Sequence, residues 1–315
     1  MMNRARAFGI DIESSFPIPC LPESSRNGTG RTSVQLASTK AVDRDWRAAE
    51  AESIIDRRLP TGRRLMTVDY HPELGYRIWA SRFGRHLVAS DGLNVLSALP
   101  AVPAWRWQRL LFAQVLPLAA ALRGLDPFHA SAVVVGDKAF AFVAASGSGK
   151  TSLAAHLVAN GAGFMTDDVL SLELDGDRVL AHPGPAMASI APEELRAMSA
   201  EGRGELGNCI GKESGKKHFN PPVVDRPYPL EAFYFLVRNG DSPRISIERV
   251  QSPDPRLLLA SSFITYVRTP DHLLTHLDTC AHLARSGAIF EVRIPAGVDA
   301  RTGAAFVREH LEGAT

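Results

Sequence analysis

The chain has 315 residues, 45% of them hydrophobic and 22% charged, with a formal net charge of +1. That length suits one large or two modest domains around an ordinary apolar core, and the near-neutral balance gives no reason to expect nucleic acid or an anionic membrane as partner. Cys20, Cys209 and Cys280 are far apart, which argues against a disulfide framework or a zinc-ligand pattern.

The opening residues are basic but lack the apolar run of a signal peptide. The longest apolar stretch, Leu110 to Leu122, is broken by Gln114 and Pro117. It falls short of the roughly 20 residues that a membrane helix needs, so a cytoplasmic protein is expected. Residues 1–20 alternate loosely and predict one or two short strands. Residues 22–40, rich in Ser, Gly, Thr and Asn, predict a mobile loop. LMTVDY, GYRIWA and HLVAS predict a small, mostly antiparallel sheet. We therefore expect residues 1–100 to form a β-rich scaffold or recognition domain. Residues 101–125 would be a buried connecting helix closed by Gly124, and residues 126–315 a catalytic α/β domain.

From Asp126 the pattern sharpens. ASAVVV and AFAFVA flank Gly136-Asp137-Lys138 and predict a hairpin. SLAAHLVANG reads as a helix closed by Gly161, and GFMT as a short strand ending in Asp167-Asp168. VLSLEL and RVLAHP form a second hairpin around Asp175-Gly176-Asp177. Residues 199–222 are polar and rich in Gly and Pro, which predicts a flexible loop. EAFYFLV and ISIERV are strands, and 254–286 hold one or two helices.

The strongest motif is Ala144-Ala145-Ser146-Gly147-Ser148-Gly149-Lys150-Thr151, which matches the phosphate-loop pattern GxxxxGK[ST] except at Ala144. The apolar strand AFAFVA anchors it, and the glycines let backbone N–H groups turn inward around phosphate oxygens. Lys150 places a point charge against the β- and γ-phosphates. Thr151 offers a hydroxyl to Mg²⁺ at a helix N-terminus, whose dipole favours anions. Alanine is acceptable at the first position, where the chain is still extended. Ala145, Ser146, Gly147, Ser148, Gly149, Lys150, Thr151 and Ser152 are the expected nucleotide-binding residues, and ATP with Mg²⁺ the expected ligands.

Asp167 stands 17 positions after Lys150, enough for a helix of about three turns, a Gly161 stop and a strand returning parallel to the loop strand. Two carboxylates arrive beside the triphosphate and point in different directions. One can serve Mg²⁺ while the other takes a proton from an attacking hydroxyl. A carboxylate pair beside a triphosphate repels it unless a metal intervenes. His129 starts the strand before the loop strand, within reach of the phosphates if the hairpin pairs as written.

FHAS, a hairpin, ASGSGKTS and then TDD at this spacing resemble the catalytic domain of HPr kinase/phosphorylase, which shares its fold with phosphoenolpyruvate carboxykinases. The resemblance is specific over about residues 126–182. It implies an α/β P-loop kinase core of the HPr kinase type, a catalytic role for His129, Lys150 and Asp167, with Asp167 as base, and metal binding by Thr151 and Asp168. The order of the two aspartates stays open to reversal. The glycine-rich signature tied to phosphorolysis has no counterpart here, so the reverse reaction is not implied. ARAFGIDIESSFPIPCLPE and DRPYPLEAFYFL look like the stand-alone HPr-kinase-like proteins of ribosomal peptide pathways, some of which phosphorylate the C-terminal serine of a lasso-peptide precursor.

The resemblance thus implies a peptide or protein serine as acceptor, with no nucleic acid and no membrane as partner; a homo-oligomer is left open. A kinase of free serine and an ATP-binding regulatory module are the rival readings. Lys212, Lys216, Lys217, His218 and Arg226 are candidates to close over the γ-phosphate or to clamp an acidic or C-terminal carboxylate of the acceptor, although for any single residue a solvated basic loop is the better reading. Arg238, Arg244 and Arg249 are expected on the surface, and Glu173 and Glu193 are either helpers of the metal or ordinary exposed acids, which the sequence does not distinguish.

Overall fold

A computed structural model describes residues 2–24, 30–46, 51–145, 147–239, 244–267 and 269–313. The chain divides into two compact units: Met1–Leu125 with Ile264–Leu273, and Asp126–Phe263 with Leu274–Thr315. Residues 264–273, which the sequence reading placed in the catalytic domain, thus group with the first unit. Among the described residues no helix is long and apolar enough to cross a membrane.

The first unit is built on strands β1 (Asn3–Ala7), β2 (Ile10–Ser14), β3 (Thr32–Leu36), β4 (Glu52–Arg58), β5 (Arg64–His71), β6 (Gly75–Ala80), β7 (Gly84–Val88) and β8 (Asn94–Ala98). They form one sheet in the order β1-β2-β3-β8-β7-β6-β5-β4. β4 to β8 are a meander of antiparallel neighbours, whereas β3 lies parallel to both β2 and β8. β3 arises from the stretch expected to be a mobile loop; alternate burial of Thr32 and Val34 holds it in the sheet, and residues 25–29 lie outside the described residues. A short helix, α1 (Thr39–Val42), follows β3.

The apolar run after β8 is helical throughout, as α2 (Ala104–Leu110), a π-turn (Leu111–Val115) and α3 (Leu116–Leu122). Pro117 has no N–H to give the carbonyl four residues back, and Leu116 N–H bonds to Leu111 O instead, so one wider turn absorbs the missing bond. Gly124 follows with φ +87°. Trp107 packs edge-on against Phe16, and Arg123 bonds to Thr32. These contacts tie the helix to the first unit.

The second unit contains β9 (Asp126–Phe128), β10 (Ser131–Val135), β11 (Lys138–Val143), α4 (Lys150–Val158), β12 (Gly163–Thr166), β13 (Leu170–Asp175), β14 (Arg178–His182), β15 (Ala188–Ile190), α5 (Pro192–Ala197), α6 (Ala200–Gly204), β16 (Asn208–Glu213), β17 (Lys216–Asn220), β18 (Tyr228–Asn239), β19 (Ser246–Arg249), α7 (Pro255–Ala260), α8 (Pro270–Ser286) from Leu274 onward, β20 (Ile289–Pro295) and α9 (Ala300–Gly313). Its large sheet runs β12-β10-β11-β18-β14-β13-β9, with β20 also beside β18 and β19 beside β20. The architecture is mixed α/β. β11 is buried on both faces because its side chains alternate: Phe140 and Phe142 pack with α4 and α9 residues such as Leu153 and Val307, while Ala139, Ala141 and Val143 face the opposite core with Leu258 and Leu283.

The segment 199–222 is not a flexible loop. It forms α6 and the β16–β17 hairpin, with β17 paired to β15 in a separate three-stranded sheet. Ser214 and Gly215 link the strands with φ of +52° and +79°, the signs a tight primed turn requires.

Candidate active site

The segment that carries the phosphate-loop motif sits between a central strand and its helix. β11 ends at Val143, and α4 begins at Lys150 with Gly149 as its N-cap. Gly147 and Gly149 have φ of +83° and +93°, where side chains with a Cβ are strained. Ala144 is not among the described non-glycine residues with positive φ, so the departure from the motif sits where no glycine is required. Ser148 N–H bonds back to Ala145 O at 3.1 Å, and Ala145 is exposed. Thr151 and Ser152 occupy the first turn of α4, where N–H groups lack intrahelical partners. Ser146 lies outside the described residues.

Lys150 curls back over the loop. Its Nζ donates to Ala144 O at 2.9 Å and lies 3.2 Å from His129 Nε2. Burial pushes its ammonium below the usual range, against the pull of Asp168 and Asp167, and the charge of Lys216 adds to the push. His129 Nδ1 is 2.9 Å from Asp168 O, and a carbonyl can only accept. Nδ1 therefore carries the proton, which leaves Nε2 as acceptor for Lys150. The imidazole stacks on Phe263, at 5.7 Å between ring centres.

β12 delivers the aspartates at the same end of the sheet. It runs in the direction of β11, as expected, but β10 lies between them and pairs antiparallel with both. Asp167 Oδ1 accepts from Thr151 Oγ1 and from Ser131 Oγ on β10, each at 2.8 Å, and Ser189 N–H approaches Oδ2 at 3.4 Å. Burial raises the Asp167 pKa to about 7, the Asp168 charge adds to this, and the donors work against it. Asp168 differs in every respect. It is exposed, and its backbone has φ +68°, a strained region for a side-chain-bearing residue.

Ser131, Ser189 and Arg238 are not singled out by the sequence as site residues, whereas His218 and Lys216 are candidates. Ser131 and Ser189 hold Asp167, and Ser189 Oγ is bonded to His218 Nδ1 at 2.8 Å. His218 is thus linked to the acids from the hairpin once expected to be a loop. Lys216 lies two positions before His218 on β17, and so projects from the same face of that strand. Arg238, expected on the surface, is exposed but lies against Gly149. Arg226 pairs instead with Asp137 and stacks over Tyr228. Glu173 bonds to His182.

Among the described residues no three His, Cys, Asp or Glu side chains converge as a metal cage. The donors present, a half-buried carboxylate, an exposed carboxylate and a threonine hydroxyl, are the hard oxygen ligands that would suit a cation such as Mg²⁺. No family model matches the chain, and no curated protein matches it. Among solved structures it is similar to the Hpr(Ser) kinase/phosphatase from Coxiella burnetii, with 13% identity over 59% of this chain and 97% of that one, and a TM-score of 0.32.

Proposed function

We propose that the protein is a serine kinase that binds ATP with Mg²⁺ on the loop Ala145–Ser152 and transfers the γ-phosphoryl group to a peptide or protein hydroxyl. The observation that carries this reading is the shared Oδ1 of Asp167. It joins the first turn of the phosphate-loop helix, through Thr151, to the strand that starts beside His129, through Ser131. Loop, acid and histidine therefore serve one small volume at the end of the sheet.

The hydrogen bonds favour the reverse of the roles that the family resemblance implied. Asp167, half-buried and bonded to Thr151, is suited to hold the metal together with that threonine. Asp168, exposed to an incoming acceptor, is suited to be the base. Mg²⁺ held by Asp167 and Thr151 would supply charge neutralisation to the triphosphate. As the serine oxygen bonds to the γ-phosphorus, its proton passes to Asp168, the bond to the bridging oxygen breaks and ADP leaves. Lys150 stabilises charge on the equatorial oxygens, and His129 holds Lys150 and the Asp168 backbone in place.

The first candidate acceptor is the C-terminal serine of a lasso-peptide precursor, and an HPr-like protein is the second; only the resemblance of short segments supports that order. Incubation with ATP, Mg²⁺ and candidate serine peptides, read by mass, tests the reading. An added phosphate on a peptide supports it. Labelling of free serine alone redirects it to a small-molecule kinase, and ATP binding without any transfer to a regulatory module.

A further inference from the structure

The phosphate loop has a cationic neighbour that its motif does not contain. β18 pairs parallel with β11, with Phe235 opposite Val143, so Arg238 extends past the end of the loop strand. A Cβ on Gly149 would meet Arg238 Nε and Nη2 at 3.5 Å each, and Cζ at 3.8 Å. A Cβ there would be in ordinary van der Waals contact with the guanidinium, so the left-handed backbone alone favours glycine, while Arg238 lies directly beside the loop. Arg238 Nη1 donates to Val298 O at 3.2 Å, which anchors the side chain while its Nε–Nη2 edge is turned to the loop.

The sheet order places this arginine opposite the acids. Reading across β12, β10, β11 and β18, Asp167 and His129 are on one flank of the loop and Arg238 is on the other. A polyphosphate over the start of α4, with its reactive end toward Asp168, presents its inner phosphates to the β18 flank. The Nε–Nη2 edge is the two-donor side that guanidinium uses to grip phosphate oxygens, which an ammonium cannot copy. Resting on the phosphate-loop reading, we propose that Arg238 is a nucleotide-binding residue that grips the diphosphate shared by ATP and ADP.

Calorimetric titration of the full chain with ATP, ADP and inorganic pyrophosphate, in wild type, Arg238→Lys and Arg238→Gln, tests this. The side chain is exposed, so both variants should keep the wild-type melting temperature. Both should weaken all three ligands by a similar factor, about tenfold to a hundredfold for Gln and less for Lys. Loss of ATP affinity alone would assign Arg238 to the γ-phosphate and overturn the proposal. Weaker nucleotides with unchanged pyrophosphate would mean stacking on the base, and unchanged affinities would mean no contact; either result overturns it. A wild type that binds none of the three sinks the phosphate-loop reading itself.

Discussion

Asp126 and Asp167 both turn inward in the second unit, but they are met by different partners. Asp126 has His276 Nδ1 at 2.9 and 3.0 Å from its two oxygens. Burial alone would push His276 down, but its bonds to Asp126 and Cys280 outweigh that and hold it up to about 10. The pair is an internal ion pair. Asp167 receives two hydroxyls and a backbone N–H, all neutral, while its nearest charged neighbour in sequence is another carboxylate. Asp126 is thus matched by a cation bonded directly to it, whereas Asp167 has only neutral donors in contact and feels the Lys150 ammonium without a bond to it. The contrast also disposes of a misleading pattern. Ser262, His276 and Asp126 are connected like an acyl-transfer triad, with 2.6 Å from Ser262 Oγ to His276 Nε2. A histidine already protonated donates to that serine and does not activate it.

The contrast is broken most severely at Asp167. Asp167→Asn should lower phosphate transfer by roughly a thousandfold or more in steady-state assays, yet leave the melting temperature of the metal-free protein unchanged or raised, because a costly half-buried charge has gone. Asp168→Asn should match it in activity loss while ATP affinity stays within a few-fold, measured by calorimetry. Asp126→Asn should do the opposite. Stranding a charged His276 costs about 3–5 kcal/mol, a fall of roughly 10 °C in melting temperature, while the protein that remains folded still transfers phosphate.

A pH series sharpens the same point. The folded pKa of His276 lies above its unfolded value, so the stability it contributes is complete below about pH 6.5. It is lost as pH rises through about 10. Chemical denaturation across that range should show the loss in wild type and not in a His276→Gln variant. The smallest effect is expected from Ser131→Ala, which removes one of the donors to the Asp167 carboxylate, a bond of about 1.5–3 kcal/mol, and leaves Thr151 in place. Turnover should fall by less than tenfold, without a change in ATP affinity.

The sequence made some of this legible. Glycines at 136 and 176 marked real hairpins, and the interval from Lys150 to Asp167 marked a helix and a returning strand, because turn chemistry and local periodicity are written in adjacent residues. What it hid depends on pairing between distant segments. Arg238 reaches Gly149 only because β18 lies parallel to β11, and His276 reaches Asp126 across 150 positions. Neither spacing forms a motif. The β16–β17 hairpin was missed because its lysines and polar residues read as a loop, although the Ser214-Gly215 pair was a usable turn signal. Which aspartate meets Thr151 was also illegible, since adjacent residues differ only in which way the strand end turns them.

The most direct measurement is the affinity of ATP with excess Mg²⁺ and with a chelator, in wild type and in Asp167→Asn. The account predicts that Mg²⁺ tightens binding at least tenfold in wild type, and that Asp167→Asn removes most of this gain while chelator-condition affinity is kept or improved. An equal Mg²⁺ gain in both proteins, or none in wild type, would contradict it.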